Sequence, residues 1–67
     1  MKKDQELLAE ALGDLHKGET VERAIGRILR RHGGTYEDYV RITGVVREAA
    51  LKAKITPLEA ARKLAQP

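Results

Sequence analysis

TVERAIGRILRRH, residues 20–32, is the stretch that decides the fold. Wound at roughly 100° per residue, it separates into two opposed faces. Val21, Ala24, Ile25, Ile28 and Leu29 collect on one side, and Arg23, Arg27, Arg30 and Arg31 occupy a stripe about 100° wide on the other. An amphipathic helix of this kind must bury one face and keep the other wet. Everything else in the chain is organised around that requirement.

Helix punctuation on either side is clear. Upstream, Leu7, Leu8, Ala11, Leu12 and Leu15 recur at helical spacing after Asp4, and Gly18 follows where a left-handed C-terminal residue would sit. The first helix is therefore expected over residues 4–16, weakened by Gly13 on the side away from the leucines. Thr20 caps the second helix, Glu22 lies in its first turn, and Arg30, Arg31 and His32 lie in its last, as the helix dipole favours. Gly33 and Gly34 stop it.

Thr35 opens a third helix, with Asp38 placed to complete a variant capping box. That helix carries a broad apolar sector of Tyr36, Tyr39, Val40, Ile42, Thr43, Val46, Ala49, Ala50 and Ala53, and should end near Lys54. Thr56-Pro57-Leu58-Glu59 is the strongest local signal: an N-cap, a proline at the first helical position, and a glutamate reaching back to the cap. A fourth helix from Pro57 to about Ala65 follows, burying Leu58, Ala61 and Leu64. Short connections imply that consecutive helices double back on one another. The expected fold is all-α, a single domain of four short helices over residues 1–67, with helices two and three as a central hairpin and helices one and four packing across it. Gly26, bordering the apolar face of the second helix, suits either a close helix approach or a tolerated surface position. Gly44 lies off the main sector and reads as a surface glycine or a local bend.

Composition narrows the chemistry. With 67 residues the chain forms one small domain, which buries only about 60% of the surface of its unfolded state. Phe, Trp and Cys are absent, so the core is aliphatic and no disulfide supports it. Oligomerisation is the expected supplement, in the form of a dimer or higher assembly. Ser, Cys and Asn are all missing, which removes the commonest nucleophiles and argues against hydrolase or thiol chemistry. His16 and His32 are too far apart to suggest a metal pair, so no metal, cofactor or catalytic residue is expected. The lack of Asn and Cys fits a thermophilic source. No apolar run approaches a membrane span, and the opening MKKDQELLAEALGD carries acids where a secretory signal would be apolar, so a cytoplasmic protein without membrane contact is expected.

Charge is distributed unevenly. Met1 to Glu22 holds three lysines against six acids, Arg23 to Gly34 four arginines and no acid, and Arg47 to Pro67 five bases against two acids. The arginine stripe is read most simply as a solvated face, with Glu19 paired to Arg23 along the helix. Four arginines without a lysine also suit bidentate contact with phosphate. Tyr36 and Tyr39 read as core rings with their hydroxyls at the rim, stacking on bases being the less common use. His16 and His32 read as helix C-terminal charges.

The run from Arg47 to Leu64, REAALKAKITPLEAARKL, resembles the first two helices of repressor-type helix-turn-helix domains, where a basic helix leads into a Thr-capped helix with Ala and Leu inside. What the resemblance implies is DNA contact through a recognition helix. The sequence given ends at Pro67, so on this reading the fourth helix itself would fill that role with Arg62 and Lys63.

Two functional readings follow. The first is a small non-catalytic binding module contacting DNA, RNA or another polyanion through Arg23, Arg27, Arg30 and Arg31, supported by Arg62 and Lys63. The second is a protein-interaction or self-assembly module, a helical homo-oligomer with no nucleic-acid role. A contiguous basic patch joining helix two to helix four would favour the first, and neutralisation of the arginines by Glu6, Glu10 and Asp14 would favour the second.

Overall fold

Three of the four helices begin at a threonine that holds the first turn. The computed structural model describes residues 3–67, folded as α1 (Asp4–Gly13), α2 (Val21–Arg31), α3 (Tyr36–Ala53) and α4 (Pro57–Ala65). Thr20, Thr35 and Thr56 each accept, through the side-chain oxygen, the backbone N–H three residues on. Asp38 and Glu59 return the bond to the N–H groups of Thr35 and Thr56 at 2.9 and 3.1 Å. Orphan donors at the helix starts are thereby satisfied from within the local sequence. The fold is all-α, with no strand among the described residues.

The ends of α2 and α3 are closed by backbone bonds that reach back into the last turn. Gly33, at φ 74°, lets the Gly34 N–H donate to Leu29 O at 2.8 Å. Lys54 adopts the same left-handed conformation at φ 58° and lets Ile55 N–H donate to Ala50 O at 3.0 Å. A lysine thus occupies a position that normally favours glycine.

α1 is shorter than the expected 4–16 and ends at Gly13. The reason is tertiary. The carbonyl of Asp14, which a continuing helix would offer to its own next turn, instead accepts Nη2 of Arg27 at 2.7 Å. Leu15 therefore lies in the connection and packs on the core from there, and Gly18, at φ 79°, turns the loop and does not close a helix.

Leu7, Leu8 and Ala11 of α1 meet Val21, Ala24, Ile25, Ile28 and Leu29 of α2, the whole of that helix's apolar face. Ile42, Val46 and Ala50 complete the core from α3, and Ala60 and Ala61 from α4. In α4 the buried residues are these two alanines, while Leu58 and Leu64 sit half-buried at the edge. Buried Thr43 donates its hydroxyl to Tyr39 O at 2.7 Å, so this core polar group is satisfied. α1 packs closely on both α2 and α4, and α3 closely on α4, whereas α2 and α3 meet less extensively. The two helices of the hairpin consequently leave an open groove between them. The radius of gyration, 10.8 Å, matches the roughly 11 Å of a well-packed chain of this size.

Candidate anion-binding groove

The arginine stripe of α2 splits along its length. Arg27 and Arg31 lie on the edge facing α1, and Arg23 and Arg30 on the edge facing α3. On the first edge every guanidinium is engaged. Arg27 donates from Nη1 to Asp14 Oδ2 at 2.6 Å, and from Nε and Nη2 to the two oxygens of Glu19 at 3.2 and 2.7 Å. Arg31 donates to Glu10 at 2.9 Å and to Asp14 at 3.0 Å. His32 Nε2 lies 2.9 Å from the other Glu10 oxygen.

These contacts shift the titration of the acids in one direction. The Arg27 hydrogen bond, followed by the backbone N–H of His16, holds the Glu19 carboxyl down at about 2. Asp14 is lowered first by Arg27 and then by Arg31. Both guanidinium groups are correspondingly raised, Arg27 chiefly by Glu19 and Arg31 chiefly by Asp14. Glu19 thus serves Arg27 and not Arg23, which corrects the pairing expected from helical spacing. Glu10 and Asp14 neutralise this half of the stripe, as one of the two functional readings requires, while Glu6 caps its own helix at Lys3 N–H.

On the opposite edge Arg23 and Arg30 are exposed and form no ion pair with the described residues. Both lie on the α2 wall of an open groove of about 530 Å³ between α2 and the start of α3. Gly26, Leu29 and Gly34 lie along it, and Thr35, Tyr36 and Tyr39 line the α3 side. The ring of Tyr39 rests against Gly26, where a Cβ would come within 3.3 Å of it, so Gly26 makes room for a side chain and not for the close approach of two backbones. Nothing stands within 4 Å of the Cβ position of Gly44, in keeping with its reading as an open site.

Tyr36 departs from its expected place in the core. It is 78% exposed, and its ring stacks on Tyr39 at a centroid separation of 6.1 Å and an interplanar angle of 24°. It follows directly on the cap Thr35 and falls at the rim of the apolar sector, where no neighbouring helix reaches it. That edge position was visible on the helical wheel. Its exposure was not, because it depends on how sparingly α2 and α3 meet.

Arg62 and Lys63 are exposed on α4, near Glu59, and do not line the groove. The groove therefore brings together two of the six basic residues singled out in the sequence. It offers two unpaired guanidinium groups, each able to hold an oxyanion in bidentate fashion, beside a flat pair of phenol rings. Among the described residues no group of three or more His, Cys, Asp or Glu is placed to hold a metal ion. No described helix is long and apolar enough to cross a membrane. No family model, curated protein or solved structure matches the chain.

Proposed function

We propose that the chain is a small non-catalytic binding module that contacts nucleic acid or another polyanion through the groove between α2 and α3. The observation that carries this reading is the division of labour among the arginines: Arg27 and Arg31 are spent on acids of α1 and the loop that follows it, while Arg23 and Arg30 remain unpaired among the described residues on the α2 wall of an accessible groove. Unpaired, exposed guanidinium groups are the ones free to release counterions on phosphate binding. Arg23 and Arg30 make the direct contacts, Tyr36 offers a flat apolar surface beside them, and Arg62 and Lys63 add long-range attraction from α4.

The reading is tested by fluorescence anisotropy of a labelled single-stranded oligonucleotide at low salt. Affinity should fall steeply with added salt, and Arg23→Ala combined with Arg30→Ala should weaken binding by about tenfold or more, nearly uniformly over sequences. Arg62→Ala with Lys63→Ala should weaken it by less. A flat titration with the folded protein at low salt would dispose of the reading.

Self-assembly is the second reading. It is favoured by a separate observation, the large apolar side chains that α3 leaves in solvent.

A further inference from the structure

α3 carries more apolar surface than the domain covers. Ile42, Val46 and Ala50 face the core, but Tyr36, Val40 and Leu51 are 78%, 50% and 74% exposed. At 100° per residue Tyr36, Val40, Gly44, Arg47 and Leu51 fall within an arc about 80° wide, a stripe running almost the full 18-residue helix, about 27 Å. Gly44 lies at its middle with open space in front of it. No neighbouring helix of the chain covers this stripe.

We infer that the stripe is the contact surface for a second copy of the chain, with the two α3 helices crossing antiparallel near Gly44. The sequence of the stripe is complementary to itself read backwards. In that crossing Leu51 lies across from Val40 of the second copy and Val40 across from its Leu51, while the bare backbone at Gly44 makes room for the stem of Arg47. A two-fold axis at the crossing reproduces each contact twice.

Charge fixes the direction. The flank of the stripe carries Glu37, Arg41, Glu48 and Lys52, all exposed. Antiparallel pairing sets Glu37 opposite Lys52 and Arg41 opposite Glu48 of the second copy, each twice over, and so continues the exposed Glu48–Lys52 pair within each helix. Arg41 is already held by Asp4 and Asp38, which fixes it on this flank. A parallel pair would set Arg47, within the stripe, against Arg47 of the second copy and would carry the charged flanks to opposite sides of the contact, an arrangement that like charges disfavour and that leaves the flanks unpaired. A single helix pair buries less than the usual ~1,600 Å² of a stable complex, so the expected dimer is a weak one. The crossing leaves Arg23 and Arg30, on α2, outside the contact, whereas Tyr36, at the end of the stripe, also lines the groove.

Sedimentation equilibrium of the full chain from micromolar to near-millimolar concentration tests this. The wild type is expected to pass from monomer to dimer, and Leu51→Lys, at an exposed position, to raise the dissociation constant by about tenfold or more with unchanged helix content by circular dichroism. Glu37→Lys and Lys52→Glu should each weaken the dimer by about threefold to tenfold, and the two together should restore it. A chain that stays monomeric throughout would overturn the inference, as would a dimer indifferent to Leu51→Lys or a charge-swapped double variant no tighter than the singles. Val40→Lys repeats the first test at the other end of the contact.

Discussion

Glu19 accepts both Nε and Nη2 of Arg27, eight residues away in the chain, at 3.2 and 2.7 Å, and leaves Arg23 unpaired. This relationship converts a uniform arginine stripe into two pairs with different roles. One pair ties the α1–α2 loop and the end of α1 to the middle of α2, and the other faces solvent beside a groove.

Arg27 is three-quarters buried and donates hydrogen bonds to three separate acceptors, Asp14 Oδ2, the Asp14 carbonyl and the Glu19 carboxylate. Arg27→Ala should therefore lower the melting temperature by several degrees, since it frees the carbonyl that ends α1, removes the guanidinium from Glu19 and leaves Asp14 with Arg31 alone. Arg30→Ala should leave it almost unchanged. Thermal melts of the two variants side by side check the ranking.

Acid should weaken the same clamp. Glu19 has an ordinary value of 4.5 and is held at about 2 in the folded chain, so the unfolded state takes up its proton first as pH falls. The stability contributed by this pair is complete above about 4.5 and is lost as the pH drops through about 2. Asp14, Asp38 and Glu59 are shifted in the same direction and add to the effect. Denaturant melts from neutral pH down to the acid limit should show the fall, and Glu19→Gln should make it shallower.

Lys54 is held at φ 58° by the bond from Ile55 N–H to Ala50 O. Left-handed backbone costs a side-chain-bearing residue about 1 kcal/mol that glycine avoids. Lys54→Gly should accordingly stabilise the protein by about that much, a rise of roughly 4–8 °C in melting temperature for a domain of this size.

Two glycines should respond oppositely to alanine. At Gly34 a Cβ would come within 2.6 Å of Leu29 Cδ2, 3.2 Å of Leu29 Cβ and 3.3 Å of its carbonyl, against a side chain that is fully packed. Gly34→Ala should destabilise by about 1–3 kcal/mol. Gly44 has nothing within 4 Å and sits inside a long helix, so Gly44→Ala should stabilise by up to about 1 kcal/mol when measured at low protein concentration. Chemical denaturation of both variants separates the outcomes.

The sequence made legible what local chemistry controls. Thr20, Thr35 and Thr56 placed three helix starts, Gly33 and Gly34 one stop, and the apolar face of α2 lies in the core residue for residue. Features that depend on one helix reaching another were not legible. The end of α1 at Gly13 rests on a guanidinium from α2 capturing the Asp14 carbonyl. Tyr36 stands in solvent where α2 and α3 meet sparingly, and the core of α4 consists of Ala60 and Ala61 with Leu58 and Leu64 at its edge, a choice set by how α4 lies against the other helices. For the candidate site, the helical wheel already held part of the answer. Arg30 and Arg23 lie toward one edge of the stripe and Arg27 and Arg31 toward the other, but which edge faced acids and which faced a groove required the positions of α1 and α3.

The most direct test of the functional reading observes the arginine side chains themselves. In an NMR titration following the Nε–Hε signals with a short single-stranded oligonucleotide at low salt, the account predicts that Arg23 and Arg30 shift progressively while Arg27 keeps its position. Signals of Arg23 and Arg30 that stay fixed through the titration, or a response centred on Arg27 and Arg31, would contradict it.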